Sequence, residues 1–438
     1  MKNYIYKTYS LIFICVFLLL NINVTVVSAT PPALNAEGVI LIDGITGDIL
    51  FEKNSTVQYE PASTTKVMTA LIVLENCNLD DKVTIGEHPQ YVDGSALGIR
   101  EGEVYTIEEL LYGLLLESAN DVAEALAEHI TGLTIPEGSN AVFGEMMTAR
   151  AKSIGANNTV FKNPSGLTEE GHLTTAYDLA LIMKEAFKNE DFIKISQTES
   201  HFYENHPFSD GSEKWATNRN NCLMNWYPYY YENLYTGKTG YTPEANHTYT
   251  AVAKKDDQYL VAAFLNAVDK NAHYYSVGDL FDWGFENFYT KKIVSKGDEL
   301  STLSIDEHTD IPLISSKDVY YTFSSSDNSD INTSVAYTYK DLSESSIEKN
   351  EVLFDSKLLI NGEEYTSIDL SSGIDREYIP PTKMESLIDK ILEHKFIIIL
   401  TVILFILLIF TLQIIRSHNI RKRRARKRRR TIRSKYNF

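Results

Sequence analysis

The sequence predicts an α+β protein in which an antiparallel sheet flanked by helices is followed by a small all-β domain and a C-terminal transmembrane helix. Three observations lead to this prediction. Residues 30–290 have hairpin-like apolar runs near both ends and helical patterns between them. In residues 291–379, short strand-like runs alternate with turns rich in Ser, Asp and Asn. Residues 396–415 are 20 residues without a charge, long enough for a helix to cross a bilayer core.

The first predicted domain opens with a hairpin and a buried helix. Val39–Asp43 and Asp48–Lys53 are apolar runs on either side of a Gly-Ile-Thr-Gly turn. Ser63–Glu75 is mostly apolar, which predicts a buried helix. Thr106 and Glu109 have the spacing of a capping box and predict the start of another helix.

The same domain closes with a second hairpin. Further elements predicted from apolar periodicity are the helices Asp121–His129 and Thr174–Phe187, the hairpin of Thr248–Ala253 with Tyr259–Asn266, and the helix Tyr275–Phe288. Because the two hairpins come from opposite ends of the domain, we expect its termini to complete one antiparallel sheet. In the second domain the predicted strands are Val319–Phe323, Thr333–Tyr339 and Lys357–Ile360.

The N-terminus, residues 1–29, has the pattern of a secretory signal peptide. Lys2 and Lys7 precede a short apolar run, and small residues at positions 27–29 predict cleavage after Ala29. An uncleaved anchor is the alternative, but the apolar run is short and a cleavage pattern follows it. We therefore expect the residues that follow to be exported.

The C-terminus predicts a membrane anchor with a cytoplasmic tail. Residues 380–395 should form a helical stalk that leads into the span at 396–415. The tail, residues 416–438, holds 12 Lys or Arg residues and no acidic residue, so the positive-inside rule places it in the cytoplasm. The sequence therefore predicts a single-pass protein of the cell membrane with extracytoplasmic domains, and the lipid bilayer as a partner of the span.

The formal net charge of −18 combines an acidic middle region with a basic C-terminal tail. Residues 30–395 hold 27 basic and 59 acidic residues, a net charge of −32, which argues against nucleic acid as a partner. The basic tail directly behind the span is better explained by orientation and by anionic lipid headgroups. The ten His residues form no HExxH motif or Cys/His cluster, so no metal is expected.

A Ser63-Thr64-Thr65-Lys66 motif opens the predicted buried helix. Residues i and i+3 share a helix face, so the Lys66 amine can reach the Ser63 hydroxyl. The positive end of the helix dipole and burial both disfavour an ammonium group, which suits Lys66 to act as a base. A serine hydroxyl needs such a base to become a nucleophile. Taken alone, the motif is also explained by a capping serine and a solvated lysine.

Two further short motifs follow in the chain. Ser118-Ala119-Asn120 lies in a break between two predicted helices, where Ser118 and Asn120 can face one cleft. Lys238-Thr239-Gly240 precedes the second hairpin. Lys238 and Thr239 can hold a carboxylate, and Gly240 allows a substrate backbone to approach closely. Taken singly, helix capping and a turn explain these residues too.

Together and in this order, the three motifs resemble those of the serine penicillin-recognising enzymes. The blocks PASTTKVMTA, GSALGIREGEVYTIEELLYGLLLESANDVAEALAEH, FKNPSGL, HLTTAYDLA and TGKTGYT resemble the low-molecular-weight penicillin-binding proteins, the D-alanyl-D-alanine carboxypeptidases of peptidase family S11. The resemblance covers roughly residues 35–290, and the trailing β domain and membrane anchor also fit. It implies a β-lactamase/transpeptidase-like domain, a peptidoglycan stem peptide as substrate, and acylation by β-lactam inhibitors.

The resemblance also implies roles for single residues. Ser63 would be the acylated nucleophile, Lys66 its general base, and Ser118 the group that relays protons to the leaving group. Asn120 would bind the substrate amide. The implied reaction removes the terminal D-Ala from a pentapeptide through an acyl-enzyme, which water then hydrolyses, and it needs no cofactor.

The third motif would supply the rest of the substrate site. Lys238 and Thr239 would engage the terminal carboxylate of D-Ala-D-Ala or of a β-lactam. The backbone N–H groups of Ser63 and of Tyr241, the residue after Gly240, would form the oxyanion hole.

Two positions depart from the family pattern. Many relatives have a His in the Asn-Pro-x-Gly-Leu block, where this chain has Ser165. Many also have an Arg ahead of the last helix that assists carboxylate recognition, and the best-aligned residue here is His273. This departure leaves open how the chain assists carboxylate binding, and pH-dependent binding through a titratable His273 is one alternative.

Other functions stay open at this point. A class A-like β-lactamase shares the first and third motifs but usually has Ser-Asp-Asn as the second. A D,D-endopeptidase of the same family and a non-catalytic wall-binding or β-lactam-sensing protein are further alternatives. The aromatic run Trp226–Tyr231 has two interpretations, a cleft rim that touches the glycan or peptide stem, or ordinary packing.

Overall fold

The structure is a computed structural model that describes residues 30–306, 309–326, 331–380 and 382–435. The predicted signal peptide lies outside the described residues. The chain divides into two units. The first comprises the residues up to Ser295 together with Asp318–Ile331, and the second comprises Lys296–Lys317 and Asn332 onward.

The described residues form 16 strands and nine α-helices. The strands are β1 (Gly38–Asp43), β2 (Ile49–Lys53), β3 (Lys82–Thr84), β4 (Val104–Thr106), β5 (Ser200–Phe202), β6 (Trp215–Thr217), β7 (Leu234–Thr242), β8 (Asn246–Lys255), β9 (Gln258–Ala267), β10 (Phe288–Val294), β11 (Glu299–Asp306), β12 (Thr309–Ser315), β13 (Val319–Ser324), β14 (Thr333–Tyr337), β15 (Val352–Ile360) and β16 (Glu363–Ser372). The helices are α1 (Lys66–Asn76), α2 (Ile107–Leu115), α3 (Asn120–Thr131), α4 (Ser139–Ser153), α5 (Ala176–Ala186), α6 (Glu190–Gln197), α7 (Lys270–Asn287), α8 (Lys383–Glu393) and α9 (Lys395–Lys435).

The first unit is organised around a five-stranded antiparallel sheet with the strand order β2-β1-β9-β8-β7. Ile40 of β1 pairs with Ala263 of β9, so the first and last strands of the domain are neighbours. This confirms the prediction that the two hairpins complete one sheet. Strand β7, which carries the Lys-Thr-Gly motif, lies at one edge of the sheet and pairs with β8.

Both faces of this sheet are covered by helices. Successive side chains of a strand point to opposite faces. Accordingly, Ile40 and Ile42 belong to one apolar cluster, which includes residues of α1 and α5, whereas Val39 and Leu41 belong to the other, with α7. Because each face is closed by a helix, β1 is buried along its whole length. The architecture is the predicted α+β layer structure.

Local signals in the sequence set several helix boundaries. The side chain of Thr106 accepts a hydrogen bond from the Glu109 N–H, and the Glu109 carboxylate accepts one from the Thr106 N–H, which is the predicted capping box. Helix α7 begins at Lys270, earlier than predicted. The side chain of Asp269 caps it by accepting hydrogen bonds from the N–H groups of Asn271 and Ala272.

The sequence predicted a domain boundary at residue 290, but strand β13 belongs to the first unit. Strand β13 pairs with β10 along its length, with Tyr289 opposite Phe323 and their rings stacked at 5.2 Å. This pairing groups β13 with the first unit. Periodicity identified β13 as a strand, but pairing partners depend on contacts that periodicity does not contain.

The second unit contains a five-stranded antiparallel sheet in the order β11-β12-β16-β15-β14. Leu313, Leu358 and Leu370 are buried on it. Helix α9 includes the predicted span, and its part from Lys395 to Arg430 is long and apolar enough to cross a membrane. This helix is consistent with membrane anchoring.

Candidate active site

Ser63 lies on a tight turn that precedes the buried helix α1. Ala62–Thr65 forms one turn of 3₁₀ helix, and α1 continues from Lys66. Ala62 has a positive φ of 48°, an uncommon conformation for a residue with a side chain. Gly166 packs against the carbonyl group of Ala62 so closely that a Cβ atom would collide with it. The Pro-Ser-Gly block thus fits against the turn that carries Ser63.

The Lys66 amine is fully buried and lies beside the Ser63 hydroxyl. Its Nζ is 3.2 Å from Ser63 Oγ, 2.7 Å from Asn120 Oδ1 and 2.5 Å from the carbonyl oxygen of Ser165. Asn120 donates from its Nδ2 to the carbonyl oxygen of Asp93, which keeps its Oδ1 turned toward Lys66. The Asn120 and Ser165 oxygens can only accept. A neutral amine that donates to both directs its lone pair at the Ser63 hydroxyl.

The surroundings favour this neutral form of Lys66. Burial, and then the positive charge of Lys238, hold the pKa of Lys66 well below its ordinary value, while Glu124 and Asp121 act in the opposite direction. A lysine with a lowered pKa can serve as a general base. The predicted pair is therefore present with geometry suited to proton transfer.

Ser118 and Lys238 form the opposite side of the cleft. Ser118 lies in the break between α2 and α3 with a positive φ of 60°. Lys238 Nζ donates to Ser118 Oγ at 2.8 Å and to the carbonyl oxygen of Thr239 at 2.8 Å. Burial lowers the pKa of Lys238 to about 7. The second and third motifs are thus joined by a direct hydrogen bond.

Gly240 allows the edge strand β7 to pass next to Ser63. A Cβ atom at this position would lie 2.8 Å from the backbone nitrogen of Ser63, too close for any side chain. Tyr241 follows and is 57% exposed in the cleft. An edge strand offers unpaired backbone groups to an extended ligand. The predicted residues of all three motifs therefore meet at one place.

A cavity of about 580 Å³ opens above these groups. Ser63, Ser118, Thr239, Gly240 and Tyr241 line it. Its wall also contains three basic side chains that the sequence did not indicate, Arg219, His247 and Lys270. Glu117 holds the guanidinium of Arg219 at 2.6 Å, so much of that charge is already compensated. No local motif marks Lys270, since only the packing of α7 against the sheet brings it to the cleft.

The structure does not place His273 where it could assist carboxylate binding. His273 is 1% exposed and does not line the cavity. It is enclosed by the rings of Tyr249, Phe264 and Tyr274, and among the described residues its ring nitrogens have no hydrogen-bond partner. Burial, reinforced by His247, lowers its pKa to about 3. A neutral imidazole that is enclosed in this way cannot bind the substrate carboxylate. It also cannot make carboxylate binding change with pH near neutrality.

Sequence reasoning also missed Glu124. It lies four residues after Asn120 on α3, so both side chains share the helix face directed at Lys66. Glu124 is 2% exposed, and the side chains of Asn140 and Ser165 lie against its carboxyl group. Burial raises its pKa to about 7, opposed by these two residues and by Lys66. In the sequence, the only indication of this role was a charged residue on a helix face that the structure shows to be buried.

Glu124→Gln should shift the pH dependence of acylation to lower pH. The Glu124 carboxylate raises the pKa of Lys66, so its removal should lower that pKa further. Lys66 acts as a base only when it is deprotonated, and the rising limb of the rate profile should therefore move to lower pH. The profile is measured from the acylation rate with a reporter penicillin. The exposed Glu145→Gln serves as control, and an unshifted or upward-shifted limb in Glu124→Gln would contradict the assignment.

Comparison with known proteins agrees with this geometry. The family model for D-alanyl-D-alanine carboxypeptidase, peptidase S11, matches residues 25–269, and that for the C-terminal domain of penicillin-binding protein 5 matches residues 288–377. The first match covers more than half of the chain. The chain belongs to the S11 family of D-alanyl-D-alanine carboxypeptidases.

Named relatives of this S11 carboxypeptidase are bacterial. The D-alanyl-D-alanine carboxypeptidase DacF of Bacillus subtilis is 34% identical over 276 residues, which are 62% of this chain and 67% of the relative. DacB2 of Mycobacterium tuberculosis is 31% identical over 255 residues, 57% of this chain and 82% of the relative. The crystal structure of penicillin binding protein 5 from Haemophilus influenzae has a TM-score of 0.65 at 25% identity, covering 79% of this chain and 99% of its own.

These findings confirm the predicted family, fold class and enzyme class. The S11 carboxypeptidase is a serine-type enzyme, and the alternatives of a β-lactamase, an endopeptidase and a non-catalytic binding protein receive no support. The roles of individual residues rest on the geometry above.

Proposed function

We propose that the S11 carboxypeptidase removes the terminal D-Ala from peptidoglycan pentapeptides on the outer side of the cell membrane. The observation that carries the proposal is the direct contact of Lys66 with Ser63 and of Lys238 with Ser118 in one cleft. The family match and the relatives support the substrate class. The apolar helix α9 supports a single-pass anchor, with the basic tail in the cytoplasm.

Acylation begins at Ser63. Lys66 accepts the hydroxyl proton while Ser63 Oγ attacks the carbonyl carbon of the penultimate D-Ala. The developing oxyanion lies between the backbone N–H groups of Ser63 and Tyr241, next to the close approach at Gly240. The bond to the terminal D-Ala then breaks, and its amine takes the proton that Lys66 received, passed on through Ser118.

Deacylation uses the same groups with water. Lys66 removes a proton from a water molecule, which attacks the ester carbonyl of the acyl-enzyme. The ester bond then breaks, and Ser63 leaves as its hydroxyl after taking that proton back from Lys66. A β-lactam acylates Ser63 in the same way, but its ring-opened leaving group stays attached. This accounts for inhibition of the enzyme by β-lactams.

The terminal carboxylate is bound by the third motif and by one further cation. Thr239 lines the cavity, and Lys238 lies beside it. Lys270 lies three residues before His273 and lines the same cavity. It is exposed, so it can supply the positive charge that the buried His273 cannot. The net charge of −32 on residues 30–395 makes such local capture of an anion necessary.

Lys270→Met should raise KM for a peptide ending in D-Ala-D-Ala about tenfold and leave kcat nearly unchanged. A hydrogen bond to a charged group contributes about 1.5–3 kcal/mol, and about 1.4 kcal/mol corresponds to a tenfold change. The measurement compares this peptide with its C-terminally amidated form. For the amide, which lacks the carboxylate, the variant and the native enzyme should have the same KM. The exposed Lys255→Met is the control. An unchanged KM would exclude Lys270 from carboxylate recognition.

The proposed function is tested with the full-length chain in detergent micelles. An acetylated peptide ending in D-Ala-D-Ala is incubated with the enzyme, and free D-Ala is quantified. We expect release of one D-Ala per peptide and none from the same peptide ending in L-Ala-L-Ala. Fast penicillin hydrolysis without release of D-Ala would instead indicate a β-lactamase.

A further inference from the structure

Three exposed aromatic side chains lie on a loop that reaches the catalytic cavity at Tyr227. Trp226, Tyr227 and Tyr230 are 57%, 39% and 45% exposed, and we call them the aromatic rim. Tyr227 also lines the cavity that contains Ser63. The rim is therefore continuous with the active site, and the reaction itself does not use it.

The loop that carries the rim is held firmly. The Tyr231 N–H donates to the Cys222 carbonyl oxygen at 2.9 Å, which closes the loop. The Tyr231 ring stacks on Phe281 at 5.9 Å, and its hydroxyl donates to Asp282 at 2.8 Å. The ring of Tyr229 packs against Tyr274 at 5.3 Å. Because Tyr229 and Tyr231 anchor the loop to α7, the other aromatic residues are presented outward in fixed positions.

The outward rings combine flat apolar faces with free polar ends. Within the described residues, the indole N–H of Trp226 and the hydroxyl groups of Tyr227 and Tyr230 make no hydrogen bond. Trp226 and Tyr227 have ring centroids 6.2 Å apart and planes tilted by 38°. The side chain of Asn221 lies on the adjoining cavity wall. The amide of Asn218 lies on the same wall, but it bonds internally to Ser196 and Thr198. Such a surface offers ring faces for stacking and amide or hydroxyl groups for hydrogen bonds.

This chemistry matches a carbohydrate more closely than a charged or a purely aliphatic ligand. A pyranose ring has apolar C–H faces that stack on aromatic rings, and hydroxyl and acetamido groups at its edge that pair with amide and hydroxyl groups. The rim itself contains no charged side chain. A stem peptide bound at Ser63 is covalently linked to an amino sugar, so such a ligand accompanies the substrate.

We propose that the aromatic rim binds sugar rings of the glycan strand whose stem peptide occupies the catalytic cleft. The proposal rests on the proposed function and deepens it, because it makes polymeric peptidoglycan the preferred substrate. Free pentapeptides would use the cleft alone, whereas strand-borne pentapeptides would use the cleft and the rim together.

The test compares two substrates with the full-length enzyme and the Trp226→Ala/Tyr230→Ala variant. For glycan strands that carry pentapeptides, kcat/KM should fall about tenfold in the variant. For the free pentapeptide it should stay within about twofold of the native value. Tyr339→Ala, an exposed aromatic residue of the second unit, is the matched control. Trp226→Tyr/Tyr230→Phe, which keeps both rings, should retain most of the preference for strands.

A binding measurement separates this proposal from the proposed function. Peptide-free glycan chains, which cannot react, should bind the native enzyme in isothermal titration calorimetry and should not bind the Trp226→Ala/Tyr230→Ala variant. This result would stand even if no D-Ala were released. Equal losses on both substrates, or no loss on strands, would overturn the proposal. So would a native dimer that the variant breaks, since a second copy would then cover the rim.

Discussion

Replacing Ser63 by alanine should abolish both D-Ala release and the formation of a covalent penicillin adduct. Ser63 is the hydroxyl that contacts the buried amine of Lys66 and lies beside the cavity that receives substrate. Without Oγ no acyl-enzyme can form, and the remaining binding groups have no nucleophile to act on. Intact-protein mass spectrometry after incubation with penicillin measures the adduct directly.

The variant should still fold, because the substitution removes one oxygen atom from a residue that is only partly buried. Ser153→Ala, an exposed position at the end of α4, is the control and should form the adduct normally. A Ser63→Ala protein that still gains the mass of penicillin would place the nucleophile elsewhere.

Lys66→Met should slow acylation of Ser63 by about 10²–10⁴, the range expected for loss of a general base. Methionine is of similar length but cannot accept a proton. It also leaves the oxygens of Asn120 and Ser165 without their donor, at a cost of about 1–3 kcal/mol for each buried group. The rate is measured by stopped flow with a reporter penicillin, and stability by thermal unfolding.

The pH profile distinguishes lost catalysis from lost stability. In the native enzyme the acylation rate should rise with pH as Lys66 loses its proton, at a pH well below the ordinary pKa of lysine. In Lys66→Met this limb should disappear, whereas a merely destabilised protein would keep it. The exposed Lys152→Met serves as control. If the limb persisted in the Lys66 variant, the base would be another group, with Lys238 the first to test.

Much of the site was predictable because its residues are close in the chain or tied to it by local rules. The spacing of Ser63 and Lys66 puts them on adjacent positions of one turn whatever packs around them. The capping box at Thr106 is likewise a four-residue device. The order of the three motifs was enough to indicate the family.

Other parts of the site depend on contacts between distant segments. Glu124 acts on Lys66 only because α3 packs beside α1, and Lys270 faces the cleft only because α7 crosses the sheet next to β8. His273 aligned with a cationic position of the family, yet the rings of Phe264 and Tyr249 enclose it. Alignment gives the position of a residue in the chain and not the direction of its side chain.

The sequence by itself indicated the class of fold and a candidate membrane span, since these follow from periodicity and composition. The three motifs and their resemblance indicated the family and the proposed pairing of Ser63 with Lys66. The tertiary structure decided which charges surround Lys66, which basic side chains line the cavity, and which aromatic rings stay exposed beside it. The physical reason is that burial and electrostatic interaction act through space. Residues such as Glu124 and Lys270 acquire their effect only when the fold brings distant segments within a few ångströms.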